Sequence, residues 1–477
     1  MKIPFPRADQ VACAMPSPSN FQHAGFQGMM GISRREITPP AGIYARNWGA
    51  AEHDTAETIH RPLWVSVLTL ADSADSLPLI LIDADLGWWR TPQVFEAFRQ
   101  SIRNAIDIPV ERLIVALSHT HAGPPLMEID PELPGSDRLR SWMDALPGLV
   151  SAAVREAWTN AHPSLLEWHS GSCGLASLRD FADPFSDSRL PRYLCGFNPE
   201  QRADQTLWVG RITGIDGQMR GTLVNYACHP TTLAWQNKAI SPDYVGAMRE
   251  TIQQATGAPA FFLLGACGEL APRYQYTADL EVADAHGREL GYAALSVLSG
   301  MELAGTCLRF TGTMESGAPL AVWTREPVLH SKSLSAASPR VVLPLKDWPS
   351  AEDLERQRVA CMDRALAERL RRKRDIRRGL GDGHEFSLPL TVWKIGSAIL
   401  VGSCCEAYSI LQQELRRRFP GMPLICMNLI NGSLGYLPPA DHYDLDIYPV
   451  WQTPFDRGSL ERLLEAMTRA IRELLEK

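Results

Sequence analysis

The sequence predicts an α/β fold of mixed β-sheets with flanking helices, with the functional site at the C-terminal ends of strands. Three observations carry this. Short apolar runs rich in β-branched residues recur along the 477 residues, in the length range of strands rather than helices. Amphipathic stretches of helical length separate many of them. Several of the runs stop abruptly at a polar residue, and α/β sheets bind ligands outside the carboxyl ends of their strands.

Residues 1–27 carry several prolines and are expected to form an irregular arm, with a single catalytic-type domain over 28–477. Residues 28–38 open the domain with a short strand that turns at Pro39-Pro40. Residues 63–70 alternate as a strand, and residues 78–85 form a buried strand ending in Asp83 and Asp85, acids expected to serve strand-end and turn chemistry. A helix is expected over 93–106. The run Leu113-Ile-Val-Ala-Leu-Ser-His-Thr-His-Ala-Gly-Pro124 then reads as a buried strand broken by Gly-Pro. Side chains two apart on a strand share a face, so His119 and His121 are expected to look the same way. A second helix is expected over 138–158, then short strands and loops over 163–200 that contain Arg179. Residues 206–214 and 221–228 form a hairpin around the Asp216-Gly217 turn, and its second strand runs into His229-Pro230.

Ser241-Pro-Asp243 is a plausible cap for a helix over 243–254. The strand 260–264 ends in Gly-Ala-Cys-Gly-Glu269, and a helix follows over 279–299. Residues 305–345 are strand-like and irregular. One long charged helix is expected over 351–378, as an insertion whose basic end (Arg371-Arg-Lys-Arg-Asp-Ile-Arg-Arg378) reads as a solvated, dipole-favoured face. After a Gly-rich joint at 379–383 come strands over 388–395 and 398–402. A helix from about Glu406, a strand over 423–430 and a closing helix over 458–475 complete the chain.

Hydrophobic residues make up 45% and charged residues 21%, the balance of a globular protein with a large core. The net charge of −7, and the lack of a basic face with interleaved aromatics, argue against nucleic-acid binding. No run approaches the roughly 20 apolar residues of a transmembrane helix. The N-terminus has no apolar core suited to a signal peptide. A cytoplasmic location is therefore expected. The ten cysteines have no CxxC or finger-like spacing and read as reduced thiols.

A lone His-x-His reads more readily as a hydrogen-bonded core pair than as a metal site. Similarly, Glu406 alone suits a helix N-terminus, Tyr436 and Tyr448 suit packing, and Arg179 suits a surface ion pair. Taken together, His119, His121, His229, Glu269 and Glu406 at strand ends match a catalytic zinc set with an open position for water. Zinc there would lower the pKa of water to about 7 and polarise a carbonyl. No HExxH, G-x-S-x-G or P-loop is present.

In order along the chain, Ser118-His-Thr-His-Ala-Gly-Pro124, Asn225-Tyr-Ala-Cys-His-Pro230 with Ile240-Ser-Pro-Asp-Tyr-Val-Gly246, Gly265-Ala-Cys-Gly-Glu-Leu-Ala-Pro272, Cys405-Glu406, and Leu434-Gly-Tyr-Leu-Pro-Pro-Ala-Asp-His-Tyr443 resemble blocks of the neutral ceramidase family. These are zinc amidases that split the N-acyl bond of ceramide. The resemblance spans residues 28–456. It implies one zinc ion held by His119, His229, Glu406 and Tyr436. It further implies His121, Arg179 and Tyr448 as catalytic groups acting on an N-acyl or other small-molecule substrate. Two departures stand out. Glu269 and Ala271 occupy the aspartate and serine positions of the family's Gly-Asp-x-Ser-Pro block, and the C-terminal domain of larger members has no room. The expectation is a zinc-dependent, ceramidase-like hydrolase of linear amides. The same scaffold acting on an ester or other small intracellular substrate, or as a lapsed binding protein, is the alternative.

Overall fold

The computed structural model describes residues 20–187 and 191–476. Residues 1–19 of the expected arm lie outside them. Residues 20–27 are not arm: Asn20–Gln22 and Ala24–Glu36 are strands. The second of these is central in an eight-stranded sheet. Its spatial order is Ala260–Leu264, Met219–Tyr226, Thr206–Gly214, His162–Ser172, Ala24–Glu36, Trp64–Ala71, Leu79–Ala84 and Leu113–Leu117. The outermost pair at each edge is parallel, and the inner pairings are antiparallel.

Helices α1 (Pro92–Ile106) and α2 (Ser136–Thr159) cover part of one face of this sheet. Helices α3 (Tyr244–Thr256) and α4 (Leu280–Ser299) pack with the strands at its other end. A second sheet covers the opposite face, with Leu334–Ala337, Glu385–Ile395, Ala398–Ser403 and Leu424–Met427 in order and Arg340–Pro344 alongside Glu385–Ile395. The strand residues sort as the period of two demands. Val65, Val67, Ile80 and Ile82 face the α1–α2 core. Leu68, Leu70, Leu79 and Leu81 face the space between the sheets, against Trp393, Leu400, Ile425 and Met427. Burial on both faces explains why these strands read as continuous apolar runs.

Residues 351–378 form two helices rather than one: α5 (Ala351–Ala360) and α6 (Arg364–Leu380). The break falls at Asp363, whose side chain accepts from Leu366 N at 2.8 Å and starts the second helix as a cap. The helix expected from Glu406 begins later, as α7 (Ile410–Arg418); Glu406–Ala407 is instead a short strand parallel to Tyr436–Leu437. Helices α8 (Tyr448–Gln452) and α9 (Ser459–Leu475) complete the chain, the latter in the core on the outer side of the second sheet. Residues 163–200 include one strand longer than expected, His162–Ser172.

The first sheet curls until its two ends meet. Phe262 N, on the edge strand Ala260–Leu264, donates to the Asp83 carboxylate from the opposite end at 2.8 Å. Arg249 on α3 grips the same group, with 2.9 and 2.8 Å contacts to the two Asp83 oxygens, and also bonds Asp85. Asp83 and Asp85 thus form a buried ion triad with Arg249, beyond the strand-end chemistry expected of them, of which Asp85 keeps a bond from Trp64 N at 3.0 Å. The other edge, Leu113–Leu117, is capped from the second sheet's side by Asn431, which exchanges backbone and side-chain bonds with Val115. Side-chain amides stitch the junction further. Asn225 Nδ2 reaches both Leu263 O and Cys426 O at 2.9 Å, and Asn428 Nδ2 reaches Ala407 O at 3.0 Å. This junction gathers strand ends from both sheets at one place. Among the described residues every cysteine is free, and no helix is long and apolar enough to cross a membrane.

Candidate metal centre

The strand that precedes the two histidines ends at Leu117, so His119 and His121 sit in the turn beyond it. The shared-face argument for them therefore does not apply. His119 instead takes a left-handed backbone (φ 70°), uncommon for a residue with a side chain and typical of functional turns. Its N–H is held by Leu86 O at 2.9 Å, and its Nδ1 faces Gly87 O at 3.1 Å. His229, beyond the strand Met219–Tyr226, directs Nδ1 at Cys267 O (2.7 Å) and Leu270 O (3.1 Å). Carbonyl oxygens only accept, so Nδ1 carries a proton in both rings, and in the neutral imidazole Nε2 is left as a bare lone pair.

Both Nε2 atoms point at one oxygen. Glu406 Oε2 lies 3.0 Å from His229 Nε2 and 3.4 Å from His119 Nε2. One potential ligand atom from each of these three residues lies within 4.8 Å of the others, and all three residues are buried. Burial, with Arg179 nearby, lowers His229 to about 4, so it stays neutral. A Glu406 carboxylate facing two imidazole lone pairs brings three acceptors to one point, with His121 Nε2 3.4 Å from His119 Nε2, and burying converging acceptors without a cation is costly. The set fits a cation with nitrogen and oxygen preferences, and the backbone bonds to Nδ1 are the outer shell such ligands use.

The neighbouring blocks build this geometry. The strand register places Tyr436 opposite Glu406, and Glu406 N donates to Gly435 O at 2.9 Å. The Tyr436 ring stacks on His229, with centroids 6.2 Å apart at 20°. Tyr244, at the start of α3, donates its hydroxyl to Cys228 O at 2.5 Å and steadies the residue before His229. Thr120 Oγ1 donates to Ser241 O at 2.6 Å, tying the His119–His121 turn to the second histidine block. Glu269 stays outside the cluster. Both of its oxygens accept from Ser409 N at 2.9 Å, and burial pushes its carboxyl up to about 7 against those bonds. Ala271 pairs with Ser177 in a short antiparallel bridge, so the position still supports the Leu270 carbonyl that orients His229.

A cavity of about 60 Å³ opens beside this cluster. His119, His121, Glu406, Tyr436 and Tyr448 line it. Arg179 lies over the Tyr436 ring at 5.3 Å and donates to Gly268 O at 2.6 Å. The Tyr448 ring sits 5.6 Å from Tyr436. The structure thus brings all seven expected site residues together.

Sequence reasoning missed several others. Trp88 and Trp48 flank the His121 ring at 4.8 and 5.2 Å. Trp88, Trp89 and Arg90 line the cavity just past the strand Leu79–Ala84, so the strand-end rule could have found them. Arg372 and Ile376 of α6 line it as well. The basic run is therefore not a wholly solvated face. Glu368, Arg371, Arg372 and Asp375 follow helical spacing, and this stripe turns inward.

No protein-family profile matches the sequence, and no curated protein matches it significantly. Among solved structures, a ceramidase complexed with C2 superposes with a TM-score of 0.67 at 15% identity, over 95% of this chain and 76% of that one. Neutral ceramidase from Pseudomonas aeruginosa superposes with a TM-score of 0.66 at 15% identity, over 95% and 75%. The chain has the fold of these enzymes.

Proposed function

We propose that this protein is a metal-dependent hydrolase that cleaves a linear amide (N-acyl) bond, with zinc held by His119, His229, Glu406 and Tyr436. The observation that carries the reading is the pair of Nε2 lone pairs converging on the Glu406 carboxylate next to a cavity. The ceramidase fold supports amide hydrolysis in particular. Zinc so held would act as a Lewis acid on the scissile carbonyl and make water more acidic.

The chain's own groups supply the rest. His121, which lines the cavity between two tryptophans, is kept neutral by burial, so one ring nitrogen is free to accept a proton. In this reading it takes a proton from the attacking water as the carbon–oxygen bond forms. It returns that proton to the amine nitrogen as the carbon–nitrogen bond breaks. The Tyr448 hydroxyl donates to the carbonyl oxygen as negative charge develops there. Arg179 acts at one remove, holding Tyr436 from the face of its ring.

The test is elemental analysis of protein purified without added metal, with a panel of N-acyl and ester substrates assayed before and after chelation. Close to one zinc per chain and chelator-sensitive amide hydrolysis are expected. No metal, and none taken up on titration, would overturn the reading. Tyr448→Phe is expected to keep its metal and lower kcat by about 10²–10³, the usual cost of removing one oxyanion donor. An unchanged kcat would remove Tyr448 from the chemistry.

A further inference from the structure

Part of the cavity wall is built from guanidinium groups. Arg90 and Arg372 both line it, and both lie against the Trp88 ring, at 4.6 and 5.2 Å. One carboxylate, Glu368, serves three arginines: Arg90 Nη1 at 3.1 Å, Arg372 Nε at 3.0 Å, and Arg371 at 2.5 Å. The other hydrogen bonds are to neutral groups. Arg90 Nη2 donates to Asn47 Oδ1 at 3.1 Å, Arg372 Nη2 donates to Asn47 O, and Arg371 also reaches the Tyr44 hydroxyl at 3.5 Å. A second carboxylate, Asp375, is bonded to Arg374 and acts on Arg90 and Arg371 from a greater distance.

One donor at this wall is left underused. Arg90 is 4% exposed and spends Nη1 on Glu368 and Nη2 on Asn47, so it adds charge at the wall rather than a free donor. Arg372 Nη1 has only a long 3.4 Å contact to the Tyr448 hydroxyl. Clamping α6 to the body would need one arginine for one glutamate. Burying further cations at a cavity wall with incomplete pairing costs several kcal/mol unless an anion completes the set. A planar guanidinium fork matches a carboxylate in particular.

From this geometry we infer that the substrate is an anionic amide, whose carboxylate is received by Arg372 beside the Arg90 charge while its scissile bond lies at the histidine cluster. The inference rests on the hydrolase reading for the word substrate, but the anion site stands on its own geometry. It sets the chemistry of this pocket apart from one built for uncharged amides.

Matched probes test it. N-octanoylglycine and N-octanoylethanolamine differ by a carboxylate in place of a hydroxymethyl group. N-butylsuccinamate and N-butyl-4-hydroxybutanamide place the same contrast on the acyl side. With the zinc-supplemented protein, kcat/KM in one of the two pairs is expected to favour the anion by about 10- to 100-fold, the range of a charge-assisted bond. Arg372→Met should shrink that ratio through KM, and Arg372→Lys should restore part of it.

Calorimetric binding of the same four probes to wild type and variants is run in parallel. If nothing is hydrolysed but the anionic probe binds in an Arg372-dependent way, the hydrolase reading falls and the anion site stands. If neither pair favours the anion in hydrolysis or in binding, the inference is overturned. Should Arg372→Met fail to fold, the wild-type ratios and Arg372→Lys decide the matter alone.

Discussion

Glu406→Gln is expected to reduce bound zinc from near one per chain to near none and hydrolysis to background. The substitution keeps the shape of the side chain and removes its charge. A metal ligand set of few members does not tolerate that loss, and the catalytic contribution of such an ion is several kcal/mol. The stability of the metal-free protein gives a second, opposed reading. If the cluster were an ordinary core network with protonated histidines donating to Glu406, the glutamine would weaken those bonds and cost about 1–3 kcal/mol. Burial says otherwise for His229: it lowers the ring to about 4 and keeps it neutral, and with Nδ1 donating to the Cys267 and Leu270 carbonyls its Nε2 is a lone pair. With Nε2 as a lone pair, the glutamine amide gains a donor that the carboxylate lacked. The metal-free variant should then unfold at an equal or higher urea concentration than metal-free wild type. Retained zinc with full activity would remove Glu406 from the site.

The reason the site could be read from sequence is local. The strand-end rule needs only an apolar run and its terminus to pick out candidate residues, whereas the choice of Tyr436 as a ligand comes only from the family resemblance. His119, His121, His229 and the Tyr436 loop were all found this way. What the rule could not supply was backbone detail. His119 reaches the cluster through a left-handed turn and not through strand alternation. Glu406 reaches it from a two-residue strand whose partner, Tyr436–Leu437, lies thirty residues on. A helix N-terminal acid and a short-strand acid look the same in a sequence, because two residues carry no periodicity.

The arginine wall was hidden for a different reason. A basic run on a helix normally faces water, and composition alone favours that outcome. The informative feature was the order within the run. Glu368, Arg371, Arg372 and Asp375 recur at helical spacing, so the charges form a stripe rather than a cloud. Burial of that stripe depends on a cavity wall formed by Trp88 and Arg90, nearly three hundred residues earlier. The closing of the first sheet is likewise a tertiary fact. Asp83 and Asp85 read as turn acids because their cation, Arg249, arrives from a helix more than 160 residues on, and nothing local in the sequence pairs them.

That closing carries the largest expected effect on stability. Arg249→Met should destabilise the protein by about 3–5 kcal/mol near pH 8, the cost of stranding a buried charge. Arg249 is 1% exposed, and both acids are 0% exposed. Burial already raises Asp83 to about 6, with Arg249 opposing the rise. Without Arg249 the same carboxyl must rise further. The native state then holds a proton that the unfolded chain has released, so stability falls as pH rises from about 4 through the folded pKa. Urea unfolding should therefore show a variant that recovers part of its loss between pH 8 and pH 5.5, with a steeper pH dependence than wild type. The consequence reaches the metal. Asp83 also accepts from Phe262, joining the ends of the sheet that deliver His119 and His229. Loosening that join should weaken zinc affinity although no ligand has changed. A variant with an unaltered unfolding midpoint at both pH values would show that the sheet closes without this triad. Weakened zinc binding in a variant that stays folded would show that the triad positions the ligands as well as stabilising the fold.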